Sequence, residues 1–261
     1  MPKKLIKKIL LPILHAIRET LTFLRSLYRF TRENITPKKI LSPPKVFSKT
    51  CYNMFYEDEM KNCYNTFKKH FYTSVFLDKD HMKEYAIQKA VENDKNSDMF
   101  YLEFGVGRGT TTNFFSKFLK GNKLYGFDSF VGLKEDWLGH VNYPAGSLSQ
   151  KGIIPKLNKN IVPIKGWIQD TLPNFIKEKK PKVNFMHIDC DTYETTKFIL
   201  ESTKPYINKG CIILFDELYN FPGWSVGEYK ALVEIFKEDE DEYEYLGFSY
   251  NKGNVTIRIT K

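Results

Sequence analysis

Three glycines at alternate positions, Gly105, Gly107 and Gly109, follow the apolar run Met99-Phe100-Tyr101-Leu102 and the carboxylate of Glu103, and a row of threonines, Thr110 to Thr112, follows them. Glycine accepts positive φ and lets a ligand approach the backbone, so the stretch reads as a tight turn beneath a nucleotide-like cofactor, either a dinucleotide or S-adenosylmethionine. Further along, Asp128-Ser129, Trp167 with Asp170, Asp189 with Asp191, and Asp216-Glu217 each close a strand-like run. Any one of these acids alone reads as a helix cap or a turn residue. Five strand ends that agree read as the mouth of a ligand site.

Asp128 lies one strand-helix-strand step beyond Glu103, where a carboxylate can accept both hydroxyls of an adenosine ribose, a contact common to both cofactor classes. The loop spacing separates them. Dinucleotide sites use GxGxxG with a pyrophosphate on the helix amino end. Here the spacing is GxGxG behind Glu103, an acid that repels a pyrophosphate but suits a cofactor with an amino-acid end. The loop and the closing hairpin together favour the methyl donor.

The elements that must position these residues are legible from about Asp80. Helical spacing in HMKEYAIQKAVEN leads to the strand MFYLEF, the glycine loop and the helix TTTNFFSKFLK closed by Gly121; strand KLYGFDSF, a loop-rich insertion over 131–160, strand IVPIKGW and helix DTLPNFIKEKK follow. Then come strand VNFMHIDCD, helix TYETTKFILESTKPYI, strand CIILFDE, helix GEYKALVEIFK and two strands, YEYLGFSY and NVTIRIT, meeting across an NKGN turn. Such alternation implies an α/β fold with a mostly parallel sheet and right-handed crossovers, and the hairpin adds an antiparallel edge. Ligands of such sheets collect beyond the carboxyl ends of the strands, where the acids stand.

The chain has 261 residues and a formal charge of +9, and the charge is unevenly placed. Residues 1–50 hold twelve Lys/Arg against two Asp/Glu, a balance of +10, which leaves 28 basic against 29 acidic residues in 51–261. A neutral core argues against nucleic acid, which requires a continuous basic face. In the arm, Ile6, Ile9, Leu10, Ile13, Ile17, Leu21, Leu24 and Tyr28 recur every three or four residues with Lys and Arg between them, an amphipathic helix with a bend expected at Pro12. Its longest uncharged stretch, 9–17, is far short of the roughly 20 residues needed to span a bilayer. Peripheral membrane contact through residues 1–34 and an oligomer or partner contact are the two leading readings, with an organellar targeting peptide third. Residues 36–49, with three prolines and four lysines, read as a linker; 51–77, rich in Tyr and Phe, read as helical packing or a lid on the domain of 51–261, whose Rossmann-like core spans 99–261. Cys51, Cys63, Cys190 and Cys211 show no CxxC pairing, so neither zinc nor a disulfide framework is expected and a cytoplasmic setting, at the membrane surface if the arm binds there, fits.

From about Phe100 onward, the ordered segments LEFGVGRGTT, YGFDSFVGL, GWIQDTLPNF, HIDCDTYETT, FDELYNFPGW and GEYKAL strongly resemble class I S-adenosylmethionine-dependent methyltransferases of the macrocin and mycinamicin O-methyltransferase type. The resemblance implies a seven-stranded Rossmann-like sheet and methyl transfer, commonly to a sugar hydroxyl, assisted by a divalent metal, usually magnesium. It places Glu103, Gly105 and Gly107 at the methionine part of the cofactor with Gly109 completing the loop, Asp128 and Ser129 at the ribose, and Asp170 near the adenine. Asp189, Asp216 and Glu217 become the metal set, and Asp189 also borders the cofactor. Two departures stand out: Asp191-Thr192-Tyr193 where the family usually reads DLY, and Asp216-Glu217 where an Asp pair is common.

The chemistry gives these residues work of its own. A sulfonium methyl is already activated, so the protein must hold an oxygen nucleophile in line and remove a proton. Magnesium takes oxygen ligands and lowers the pKa of a bound hydroxyl, and Asp191 or His187 can serve as general base. His187 lies inside a strand and reads equally as a structural histidine; His140, in the insertion, reads as a surface residue with an acceptor-facing role as the alternative. The expected partners are a small-molecule or glycan acceptor and further copies of the chain in a homo-oligomer. A nicotinamide-dependent oxidoreductase and a non-catalytic membrane-binding module are the competing readings.

Overall fold

The computed structural model describes residues 17–25, 50–94, 98–137, 142–238, 240 and 242–261. His140 and most of the basic arm lie outside the described residues. The chain divides into two units, Met1–Cys51 and Tyr52–Lys261. In the first, residues 17–25 form helix α1, with Ile17, Leu21 and Leu24 about half exposed.

The second unit is built around one sheet. In chain order it contains α2 (Cys51–Phe67), β1 (Val75–Leu77), α3 (Lys79–Asn93), β2 (Phe100–Phe104), α4 (Thr110–Ser116), β3 (Leu124–Asp128), β4 (Ile161–Lys165), α5 (Ile168–Lys179), β5 (Val183–Ile188), α6 (Tyr193–Thr203), β6 (Ile207–Phe215), α7 (Glu228–Ile235), β7 (Tyr243–Ser249) and β8 (Val255–Ile259). The sheet order is β1-β7-β8-β6-β5-β2-β3-β4. All pairings are parallel except those of β8, which runs antiparallel to both β6 and β7. This is the Rossmann-like arrangement expected from the alternation of strand and helix. The order reverses between β2 and β5, and the crevice beyond their carboxyl ends is the topological switch point.

The sheet has eight strands, one more than the expected seven. The extra one, β1, is a three-residue edge strand that pairs with β7 through Val75–Gly247 to Leu77–Ser249. Three residues are too few to show an alternation, which is why the segment reads only as helical packing or a lid. Its helical part, α2, does pack: the Phe67 ring sits edge-on to Tyr219, Trp224, Tyr229, Tyr245 and Phe248 at 5.3–5.6 Å between centroids. Helix α4 ends at Ser116, five residues short of Gly121, because Lys117 and Phe118 close turns onto the carbonyls of Phe114 and Phe115.

Two hydrophobic layers cover the sheet, and period-two alternation assigns each strand residue to one of them. Leu102, Phe104, Met186, Ile188, Ile213 and Phe215 face the layer of α5, α6 and α7, while Tyr101, Phe185, Ile212 and Leu214 face that of α3 and α4. The same alternation carries the polar residues. Glu103 and His187 are register partners on the α3/α4 face, and Asp216 continues the β6 row that contains Ile212 and Leu214. Glu217 falls on the opposite face.

Candidate active site

The glycine loop turns where its backbone has no room for side chains. Gly105 has φ +97°, and a Cβ there would stand 1.8 Å from the carbonyl oxygen of Asp189. The loop is drawn in by Asp128 at the end of β3: its Oδ2 accepts the N–H groups of Val106 at 2.9 Å and Gly107 at 2.7 Å, and its Oδ1 accepts that of Phe130 at 2.6 Å. Each carboxylate oxygen offers two lone-pair sites, so Oδ1 keeps capacity for a further donor.

Above the loop is a cavity of about 290 Å³. Gly105, Gly107, Asp128 and Ser129 border it on one side, Trp167 and Gln169 on another, and Asp189 and Asp191 at the far end. The insertion over 131–160 supplies the remaining wall with Leu133, Lys134, Leu148 and Gln150. These four carry no sequence signal, because they come from a segment without periodicity. The insertion is nonetheless tied down. The Leu133 N–H donates to the Ser147 carbonyl and that of Gly146 to the Leu133 carbonyl, Gln150 and Gly152 donate to the Phe130 carbonyl, and Glu135 Oε1 accepts from Thr192 Oγ1 at 2.7 Å.

Beyond this cavity lies a concentration of buried charge. His187 is fully buried, with Nδ1 3.1 Å from Glu103 Oε1 and Nε2 3.6 Å from Asp216 Oδ1. Burial alone would push its imidazole down, but Asp216 and Glu103 outweigh that and hold it at about 9. Two lysines of α3, one helical turn apart, reach the same carboxylate: Lys79 Nζ is 3.1 Å from Asp216 Oδ2 and Lys83 Nζ 3.4 Å from Oδ1. Burial would raise the Asp216 carboxyl, yet His187 and the lysines keep it well below the usual range.

Asp189 joins this cluster, its ligand atom within 4.8 Å of those of His187 and Asp216, and it also belongs to a second acidic group. Ligand atoms of Asp189, Asp191 and Glu217 lie within 4.8 Å of one another, and among the described residues no Lys or Arg forms an ion pair with any of the three. Burial, together with the neighbouring acids, pushes Asp189 up to about 7 and Asp191 up to about 8, and raises Glu217 well above the carboxylate range. Three carboxyls that crowd one another in this way, all hard oxygen donors, suit a magnesium-sized cation.

Of the expected metal set, Asp189 is common to both groups of ligand atoms, one with Asp216 and His187 and the other with Asp191 and Glu217. Asp216 turns to Lys79, Lys83 and His187, while Glu217 turns to Asp189 and Asp191. Of the other expected residues, Gly105, Gly107, Asp128, Ser129, Asp189 and Asp191 border the cavity. Four do not. Glu103 is buried beneath the loop against His187. Gly109 is the N-cap of α4, its Cβ position facing Leu157. Asp170 is exposed in the first turn of α5, which presents Trp167, Ile168 and Gln169 to the cavity instead. His187 does not line this cavity, and its ligand atom lies within 4.8 Å of those of Asp189 and Asp216.

A family model described as a methyltransferase domain matches residues 102–218, from β2 to just past β6. No curated protein sequence matches. Among solved structures, the calicheamicin methyltransferase CalS11 is similar at 20% identity over 85% of this chain and 89% of its own, with a TM-score of 0.54. Its apo form, described as a TDP-rhamnose 3'-O-methyltransferase, is similar at 20% identity over 88% and 93%, with a TM-score of 0.50. The O-methyltransferase NovP is similar at 17% identity over 70% and 79%, with a TM-score of 0.51.

Proposed function

We propose that this chain is an S-adenosylmethionine-dependent methyltransferase of the macrocin and mycinamicin O-methyltransferase type and that it methylates a hydroxyl of a sugar or a comparable small polyhydroxylated molecule, with a divalent cation at its acidic mouth. One observation carries the reading: in a chain with a stretch that matches a methyltransferase domain, the glycine loop cinched onto Asp128 borders one cavity with Asp189 and Asp191, and Asp191 with Glu217 borders the cavity beside it.

Bound S-adenosylmethionine supplies a sulfonium methyl activated toward an oxygen nucleophile. Gly107, whose Cβ position meets nothing within 4 Å, leaves the backbone open to the amino-acid part of that donor, Gly105 lets the loop pass against the Asp189 carbonyl, and Asp128 Oδ1 offers its remaining lone pair to a ribose hydroxyl. Trp167 and Leu133 give apolar walls to the adenine. Asp189, Asp191 and Glu217 would hold a cation there, whose positive charge would make an acceptor hydroxyl more acidic. Asp191 borders both the donor cavity and the one beside it. It is the residue we assign to take the acceptor proton. It has a positive φ of 67°, backbone strain of the kind found at functional positions. The test is transfer of a labelled methyl group to a panel of glycosides with and without EDTA, beside calorimetry with S-adenosylhomocysteine. Loss of transfer in EDTA and its return with magnesium are expected. Transfer that persists in metal-free buffer removes the cation from the reading, and absence of S-adenosylhomocysteine binding removes the methyl-transfer reading itself.

The arm carries a second reading. Ile17, Leu21 and Leu24 form an exposed stripe on α1 beside Arg18 and Arg25, in a segment with a balance of +10. We infer that residues 1–34 hold the enzyme to an anionic membrane surface, where apolar burial and attraction to acidic lipid add.

A further inference from the structure

A second cavity, about 260 Å³, opens next to the donor cavity and shares Asp191 and Thr192 with it. Trp137 of the insertion, Tyr193 at the start of α6 and the 221–227 connection wall it, and helix α2 braces that connection, since Glu59 Oε2 accepts the N–H of Gly223 at 3.0 Å. Glu228, the first residue of α7, lines the cavity although it is only 1% exposed. Its Oε2 accepts the N–H of Glu217 at 3.0 Å, while its Oε1 is buried with no hydrogen-bond partner. A buried carboxyl oxygen left without a donor is costly, and a ligand that brings one removes the cost.

The charge of the cavity limits what that ligand can be. Its lining holds five carboxyls, Asp136, Asp191, Glu194, Glu217 and Glu228, against a single basic side chain among the described residues, Lys230. That lysine is already engaged, lying 4.1 Å above the Tyr193 ring and 4.0 Å from Glu234 Oε1. A phosphate is ordinarily gripped by arginine or lysine forks or by the free N–H groups of a helix amino end. Two helix amino ends border the cavity, those of α6 and α7, and each carries a carboxyl in its first turn, Glu194 and Glu228. A divalent cation on Asp189, Asp191 and Glu217 would still leave Asp136, Glu194 and Glu228 facing the acceptor.

We infer that this cavity receives the methyl acceptor and selects a sugar that carries no phosphate, one of whose hydroxyl or ammonium groups donates to Glu228 Oε1. The inference rests on the methyl-transfer reading above and separates this chain from CalS11, the TDP-rhamnose 3'-O-methyltransferase. Three measurements on the full chain with magnesium test it. Calorimetry with S-adenosylhomocysteine comes first. Labelled methyl transfer is then compared between methyl glycosides, an amino sugar among them, and the same sugars as nucleoside diphosphate esters. Finally, Glu228→Gln is assayed for acceptor and donor KM: with the Gln carbonyl retaining the Glu217 N–H, its amide NH₂ faces the cavity and opposes an incoming donor.

Phosphate-free sugars should be methylated at least about tenfold faster than their nucleotide esters, the scale on which unmatched polar groups discriminate. Glu228→Gln should raise the acceptor KM about tenfold and leave the donor KM within about twofold, with an unchanged melting temperature as the check on folding. If Glu228→Gln melts early, Lys230→Gln takes its place and should leave the preference for phosphate-free sugars intact. Preference for the nucleotide esters, failure of every phosphate-free sugar, or an unchanged acceptor KM in a folded Glu228→Gln protein overturns the inference while methyl transfer stands. Absence of S-adenosylhomocysteine binding overturns both.

Discussion

Asp128 has two tasks that the sequence shows as one. Its carboxylate faces the donor cavity, and it is also the post to which the N–H groups of Val106, Gly107 and Phe130 are tied. Asp128→Ala should therefore weaken S-adenosylhomocysteine binding by at least about 1 kcal/mol, the low end for hydrogen bonds to a charged group, and also lower the melting temperature, because three N–H groups lose their acceptor. A drop in affinity with unchanged melting would mean that the loop holds its shape without the carboxylate. Gly105→Ala is the sharper change. Positive φ and a Cβ 1.8 Å from the Asp189 carbonyl leave alanine nowhere to go, so donor binding measured by calorimetry should fall by at least about tenfold, with a backbone cost on the order of 1–3 kcal/mol in denaturant titration.

At the scale of elements, the end of β6 decides what each acid does. Asp216 and Glu217 are neighbours in sequence, yet the Asp216 carboxylate meets the lysines of α3 while that of Glu217 lies with Asp189 and Asp191. Their isosteric variants should separate cleanly. Asp216→Asn leaves Lys79, Lys83 and His187 without their shared anion and should destabilise the fold by about 3–5 kcal/mol, the range for breaking a buried ion pair, as read by chemical denaturation. Glu217→Gln should leave the fold near wild type and raise the magnesium concentration needed for half-maximal transfer. Equal effects of the two variants on magnesium dependence would return Asp216 to the metal set. Helix α1 makes its own prediction. Full-length protein should sediment with acidic liposomes in a salt-sensitive manner, since each Lys or Arg near such a surface contributes about 1 kcal/mol. A chain lacking residues 1–34 should stay in the supernatant and keep its methyl transfer. Loss of assembly state on truncation, with the intact chain indifferent to liposomes, would make the arm an oligomer contact.

Over the whole molecule, what was legible in the sequence is what depends on local order. Strand and helix alternation is written in periods of two and 3.6, so the parallel sheet, its closing hairpin and the crevice at its carboxyl ends could be read from spacing alone, and the glycines marked the tight turn that borders the first cavity because Gly105's backbone leaves no room for a Cβ. Charge placement was legible too, since counting needs no fold. The edge strand β1 was not, because three residues carry no period and its pairing to β7 spans some 170 positions. Nor were the walls that the insertion gives the cavity, or the meeting of Lys79 and Lys83 with Asp216, which exists only once α3 is laid across the end of β6. Glu228 looks like an ordinary first-turn acid in GEYKAL; only the packing of α7 against Glu217 buries it and leaves one oxygen open to the second cavity. The sequence determined which residues could do chemistry. Tertiary structure decided which of them meet, because side-chain convergence is set by the face a strand presents and by helices that arrive from distant parts of the chain.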